Sequence, residues 1–91
     1  MQRVHAVVSG RVQGVGFRQW VAQQANRLSL TGWVRNTDDG KVELFADGSE
    51  HSIQGLIELL PKGPPLSEVK SISQKLSDLT ESEYDLFEVR R

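Results

Sequence analysis

Apolar and polar residues alternate along three stretches of the chain, which is the period of a strand with one buried face. The first stretch contains Val4, Ala6 and Val8. The second runs from Trp33 to Thr37 and the third from Lys41 to Asp47. Because an Asp-Gly pair stands between the last two stretches, we predict that they form a hairpin with a tight turn.

Two other stretches have the period of a helix. The first helix is predicted from Arg18 to Leu30, and Thr31-Gly32 is expected to end it, because glycine is the usual residue just past a helix C-terminus. The second is predicted from Glu50 to Leu60, followed by a Gly-Pro-Pro stop. Their predicted buried faces comprise Phe17, Val21, Ala25 and Leu28 in the first helix, and Ile53, Leu56, Ile57 and Leu60 in the second.

The C-terminal third has a weaker pattern. A fourth strand is predicted from Val69 to Ser73, and its imperfect alternation is typical of an edge strand or a bulge. The polar stretch from Asp78 to Glu83 is predicted to be a loop. A last strand is predicted from Tyr84 to Arg90, with Phe87 and Val89 facing inward.

The order of these elements is β-α-β-β-α-β plus a terminal strand, which predicts an α+β ferredoxin-like sandwich. In this fold an antiparallel sheet carries both helices on one face, and the third strand lies between the first two. The end of the first strand near Ser9, the helix start at Arg18 and the strand end at Asn36 are therefore expected at one edge of the sheet. Ninety-one residues suit a single domain, which we expect to span residues 1–91.

Composition excludes several classes of site. The formal net charge of −1 argues against a nucleic-acid or membrane-binding face, which needs clustered Lys and Arg. Cysteine is absent and only His5 and His51 could ligate a metal through imidazole, so no thiolate chemistry and no metal site are expected. With no apolar run near the roughly 20 residues of a membrane span and no secretion signal, a cytoplasmic location is expected.

The stretch from Gly10 to Arg18 is the strongest chemical candidate. Its glycines, Gly10, Gly14 and Gly16, allow a tight loop whose N–H groups turn toward a common centre. The loop leads into a helix N-terminus, which favours an anion, and Arg18 offers a planar fork of donors matched to phosphate oxygens. Taken alone, the pattern is explained equally well by a glycine-dependent turn beside a surface arginine.

Two segments carry a family resemblance. The segments Gly10–Arg18, GRVQGVGFR, and Gly32–Gly40, GWVRNTDDG, resemble the two signatures of the acylphosphatases, and the similarity extends over nearly the whole chain. The resemblance implies a hydrolase that cleaves the carboxyl–phosphate bond of small acyl phosphates. It also implies a cytoplasmic monomer that needs no metal and no cofactor.

The resemblance also implies the role of each site residue. Arg18 would bind the phosphoryl group, and Asn36 would position the attacking water. A cradle of backbone amides would hold the phosphate, provided by Gln13, Gly14, Val15, Gly16, Phe17 and Arg18. Inorganic phosphate or sulfate is expected to compete for this cradle. A carboxylate leaving group has a conjugate-acid pKa of about 4 and departs without a proton, so the absence of an evident general acid fits this reaction.

Two other functions stay open on the sequence alone. Several RNA-binding domains share this fold, and Trp33 and Phe45 could supply stacking rings, although basic clusters are missing. Alternatively, a non-catalytic domain could keep the cradle as an anion sensor, although such a sensor has no need of Asn36. His5 lies on the face of its strand opposite Val4, and a structural role is expected for it.

Overall fold

Seven elements of secondary structure follow one another in the predicted order. A computed structural model describes all residues from 1 to 91. The elements are β1 (Gln2–Arg11), α1 (Phe17–Arg27), β2 (Thr31–Asn36), β3 (Val42–Gly48), α2 (Glu50–Leu59), β4 (Glu68–Asp78) and β5 (Phe87–Arg90). Neither helix has the length and apolar character that crossing a membrane requires. The ferredoxin-like fold is confirmed.

The strands form one sheet in the order β4-β1-β3-β2-β5. β3 pairs antiparallel with both β1 and β2, so β1 and β2 run parallel on either side of it, as predicted. β5 pairs parallel with β2, and the sheet is therefore mixed rather than antiparallel throughout. The cause is the segment 79–86, which is hydrogen-bonded to Met1 at its start and to Gly32 at its end. It crosses the end of the sheet where β1 and β2 begin, so β5 must run in their direction.

The end of α1 differs from the prediction. The helix stops at Arg27, not Leu30, and Ser29 takes the left-handed conformation with φ 59° just after it. Gly32 lies inside β2 instead of capping the helix. A Cβ on Gly32 would collide with the carbonyl oxygen of Phe45 on β3, so the close approach of two strands requires glycine here.

The last two strands also differ from their predicted bounds. β4 is an edge strand whose register with β1 shifts between Ser9 and Gly10, which confirms the predicted edge or bulge. It extends to Asp78, because backbone pairing with β1 continues where exposed side chains give no apolar alternation. β5 begins only at Phe87. Val89 lies on the same face of β5 as buried Phe87 and opposite buried Val34, as predicted, but it is 40% exposed because β5 is the edge strand of the sheet.

The core fills the space between one face of the sheet and the two helices. Sixteen buried residues form a single apolar cluster, and Leu28 and Ile57 pack against it from partly buried positions. Complete burial of a Leu or Phe side chain contributes about 1.5–3 kcal/mol. Val12 and Phe17 both belong to the cluster, and they anchor the two ends of the segment between β1 and α1.

The end of the sheet where β1 begins is held by a buried carboxylate. The side chain of Asp47 is fully buried, and it accepts hydrogen bonds from Arg3 Nε at 2.7 Å and Arg3 Nη2 at 2.9 Å. It also accepts one from Ser82 Oγ at 2.7 Å. The pairing with Asp47 raises the pKa of Arg3. One carboxylate therefore joins β1, β3 and the crossing segment 79–86.

We predict that Asp47→Ala lowers the free energy of unfolding by about 3 kcal/mol, because it leaves Arg3, whose side chain is 20% exposed, without its main acceptor. The matched change is Glu83→Ala, which removes the exposed second partner of Arg3 and should lower it by less than about 1 kcal/mol. Urea denaturation of both variants measures the difference. Equal losses would show that the buried pair does not hold this end of the sheet.

Candidate active site

The segment between β1 and α1 takes its shape from two glycines. Gly14 and Gly16 have φ values of 74° and 77°, the left-handed region, and Gly16 is the N-cap of α1. A Cβ at either position would meet nothing within 4 Å. Glycine is thus required here by backbone conformation and not by lack of space. A residue with a side chain would lower the free energy of unfolding by about 1–2 kcal/mol at each position.

Gly10 serves a different purpose from the one the sequence suggests. It lies within β1 with φ 126°, and a Cβ there would collide with the carbonyl oxygen of Glu68 on β4. It permits the bulge at which β1 and β4 change register. The loop itself consists of residues 12–16, and Gly10 is not part of it.

The backbone N–H groups from Gln13 to Gln19 donate no hydrogen bond within the chain. The first amide of this region that does so is that of Trp20, to the carbonyl oxygen of Gly16 at 3.1 Å. No side chain caps α1, and its first turn contains no acidic residue. The positive end of the helix dipole and a run of amide donors are thus left for an external acceptor.

Arg18 and Asn36 line the same cavity. Its volume is about 560 Å³, and its lining residues are Arg18, Gln19, Asn36, Val89 and Arg91. The sequence predicts that the ends of β1 and β2 and the start of α1 meet at one edge of the sheet, and the structure brings Arg18 and Asn36 together there. The contributions of Val89 and Arg91 could not be foreseen, because they depend on the parallel pairing of β5 with β2.

The guanidinium of Arg18 is fixed without being neutralised. Its Nη1 donates a hydrogen bond to the carbonyl oxygen of Arg90 at 3.0 Å. No carboxylate forms an ion pair with Arg18, and none lines the cavity. With Arg91 at the same cavity, the lining is positively charged. Such a lining suits an anion.

Asn36 presents a polar atom with no partner. Its Oδ1 is buried and is the only such side-chain nitrogen or oxygen in the structure that makes no hydrogen bond. A buried acceptor left unsatisfied costs about 1–3 kcal/mol. Asn36 is the last residue of β2, opposite Val42 of β3, so the strand pairing holds this residue at the cavity.

Comparison with known proteins identifies the family. The acylphosphatase family model matches residues 4–89.

The chain belongs to the acylphosphatase family.

It is 45% identical over 91 residues to the acylphosphatase of Methylococcus capsulatus, covering 100% of this chain and 98% of that protein. It is 43% identical over 90 residues to the acylphosphatase of Salinibacter ruber, covering 99% and 94% respectively. The crystal structure of acylphosphatase from Bacillus subtilis matches with a TM-score of 0.94 and 41% identity over the whole of both chains. The family membership that the two sequence segments indicate is confirmed, and the chain is an enzyme of the acylphosphatase type.

The sheet face opposite the helices carries the rings that the nucleic-acid alternative invoked. The ring centroids of Trp33 and Phe45 are 5.1 Å apart. Arg3 lies over the ring of Phe45 and Arg35 over that of Trp33, but each of these arginines is ion-paired with a carboxylate of β3. The charges of Arg3 and Arg35 are therefore balanced within the chain, whereas Arg90, 5.0 Å from the centroid of the Trp33 ring, has no carboxylate partner.

His5 lies outside the cavity, on the outer face of β1. Its Nε2 is 2.7 Å from Glu43 Oε2, and Arg35 Nη2 is 2.7 Å from the other oxygen of the same carboxylate. The hydrogen bond with His5, followed by that with Arg35, lowers the pKa of Glu43. The three side chains connect β1, β3 and β2 across the sheet.

The lowered pKa of Glu43 predicts a dependence of stability on pH. Ionised Glu43 stabilises the fold above the ordinary carboxyl pKa of about 4.3, and this contribution is lost as the pH falls through the lower pKa of the folded state. The difference in Tm between the parent and Glu43→Gln should therefore shrink between pH 5 and pH 3. Glu58→Gln, on the exposed side of α2, is the control. A difference that stays constant over this range would contradict the assignment.

Proposed function

We propose that this chain hydrolyses the carboxyl–phosphate bond of small acyl phosphates, with Arg18, Asn36 and the backbone amides of Gln13–Arg18 as its site. The observation that carries the proposal is that Asn36, whose buried Oδ1 has no hydrogen-bond partner, lines the same cavity as Arg18, whose guanidinium has no carboxylate partner. A phosphoryl group and a water are the two partners that such a pair of groups accommodates.

The phosphoryl group is bound by donors alone. The amides of the cradle, Gln13, Gly14, Val15, Gly16, Phe17 and Arg18, have no acceptor within the chain and donate to phosphate oxygens. Arg18 adds charge-assisted hydrogen bonds. Inorganic phosphate and sulfate present the same oxygens and compete for the same donors.

The attacking water is held by Asn36. Its Oδ1 accepts a hydrogen bond from the water, which orients a lone pair of the water oxygen toward phosphorus. The attack is in line with the bond that breaks. Asn36 thus contributes position and not proton transfer, since an amide neither gains nor loses a proton near neutral pH.

The reaction balances without a general acid or base. The water oxygen forms a bond to phosphorus, and the bond between phosphorus and the acyl oxygen breaks. Its electron pair leaves with the carboxylate, whose conjugate-acid pKa is about 4. Both water protons stay on the phosphate, which departs as dihydrogen phosphate. The transition state is loose, and Arg18 and the amides stabilise the charge spread over the phosphoryl oxygens.

The proposed mechanism needs no metal ion or cofactor. The structure contains no group of three or more His, Asp or Glu side chains placed to hold a metal ion. The mechanism accordingly assigns all charge stabilisation to Arg18 and the amides. The proposal takes the enzyme as a monomer. A single apolar cluster of sixteen buried residues supports one domain over residues 1–91.

We predict that Arg18→Ala and Asn36→Ala fail in different ways. Asn36→Ala should lower kcat about 10²-fold, as does the loss of one preorganised polar group, and leave the inhibition constant of phosphate near the parent value. Arg18→Ala should lower kcat and also abolish competition by phosphate, since each charge-assisted bond contributes about 1.5–3 kcal/mol. The assay is hydrolysis of benzoyl phosphate with EDTA present, with kcat, KM and the phosphate inhibition constant measured for each variant.

The matched control is Asn26→Ala, which deletes the same amide from the exposed side of α1. Its kcat should equal that of the parent. Because Asn36→Ala removes a buried atom without a partner, its Tm should not fall below that of the parent. Turnover of Asn36→Ala at the parent rate would make Asn36 a turn residue only and would overturn the mechanism.

A further inference from the structure

We propose that the side chain of Gln13 is a positioning residue that fixes the phosphate cradle relative to Asn36. Its Nε2 donates to the carbonyl oxygens of Thr37 and Lys41, both at 2.9 Å. A primary amide has two N–H donors, and both are used. The inference rests on the proposed function, in which the backbone amide of Gln13 begins the cradle and Asn36 holds the water.

The turn from Thr37 to Lys41, which accepts these two hydrogen bonds, is itself rigid. Thr37 directly follows Asn36, and its N–H donates to the carbonyl oxygen of Lys41 at 2.9 Å. The N–H of Lys41 donates to Thr37 Oγ1 at 3.0 Å, and that of Gly40 to the carbonyl oxygen of Thr37 at 3.2 Å. By bonding to both ends of this closed turn, Gln13 ties the loop to the whole end of the β2–β3 hairpin.

The loop has no other polar tether to this hairpin. Gly14 and Gly16 give it backbone freedom, and its amides make no hydrogen bond within the chain. Val12 and Phe17 anchor its ends through apolar contacts, which are not directional. The two bonds of Gln13 are therefore what sets the distance between the phosphoryl group and the water. A misplacement of about 1 Å in such geometry can lower a rate by about 10²-fold.

Loss of these bonds should not unfold the turn. Without Gln13, the carbonyl oxygen of Thr37 still accepts from Gly40, and that of Lys41 still accepts from Thr37. No buried acceptor is left unsatisfied, and the stability of the fold changes little. A positioning role and a structural role therefore predict different results.

The first test is Gln13→Ala, assayed on benzoyl phosphate. The kcat should fall about tenfold, while the phosphate inhibition constant stays within about twofold of the parent value, because the cradle donors remain and only their position relative to the water changes. The matched control is Gln23→Ala, on the exposed side of α1, whose kcat should be that of the parent. A parallel loss of phosphate affinity would overturn the inference in favour of a role in the cradle itself.

A double-mutant cycle tests whether Gln13 acts through Asn36. In the Asn36→Ala background, Gln13→Ala should have no further effect on kcat, because no water is then held for the tether to position. An undiminished tenfold effect in that background would overturn the inference. Failure of the proposed function has a separate signature, since it would leave Asn36→Ala itself at the parent rate.

The isosteric Gln13→Glu provides a third readout. A carboxylate cannot donate to the two carbonyl oxygens, so kcat near pH 7.5 should fall at least as far as in Gln13→Ala. The carbonyl oxygens of Thr37 and Lys41 would face the introduced carboxyl group. Two such acceptors favour its protonated form, which can donate one hydrogen bond. The ratio of its kcat to that of the parent should therefore rise as the pH falls from 7.5 to 5. A ratio independent of pH over that range would contradict a donor role for Gln13.

Discussion

The pairing of β3 with β1 on one side and β2 on the other sets the geometry on which the site depends. Val42 of β3 lies opposite Val8 of β1 and also opposite Asn36 of β2. Adjacent strands are about 4.8 Å apart, so Asn36 is about 10 Å from the last core residue of β1. The loop that follows β1 has only to bend back over this distance to bring the start of α1 beside Asn36. Strand register thus places Asn36 near the end of β1, and the loop, tied to the hairpin by Gln13, brings Arg18 to the same cavity.

The polar groups at one end of the sheet have hydrogen-bond partners within the chain, and those at the other end do not. Where β1 begins, the buried carboxylate of Asp47 has three hydrogen bonds and connects three parts of the chain. At the other end, the loop amides and Oδ1 of Asn36 have no partner within the chain. Unsatisfied groups destabilise a fold but are preorganised for a ligand, as electrostatic stabilisation of a transition state requires. The hydrogen bonds of Asp47 and the apolar core stabilise the sheet, and this rigid sheet supports the unpartnered groups at the other end.

The sequence predicts the part of this structure that depends on periodicity and topology, including the meeting of Arg18 with Asn36. It does not predict features that arise from long-range pairing. The residue in the left-handed conformation just after α1 is Ser29. A glycine there would have marked the end of the helix in the sequence, but a serine does not. The cavity includes Val89 only because a distant crossing segment turns β5 parallel to β2. The bonds of Gln13 to the hairpin join residues more than twenty positions apart, and no local pattern marks them.

In the proposed mechanism, water held at Asn36 attacks phosphorus rather than the acyl carbon. Hydrolysis of benzoyl phosphate in ¹⁸O-labelled water, followed by mass spectrometry of both products, tests it directly. Attack at phosphorus predicts one ¹⁸O atom in inorganic phosphate and none in benzoate, because the bond that breaks lies between phosphorus and the acyl oxygen. Label in benzoate would mean that water attacks the carbonyl carbon, and the proposed roles of Asn36 and Arg18 would then be wrong.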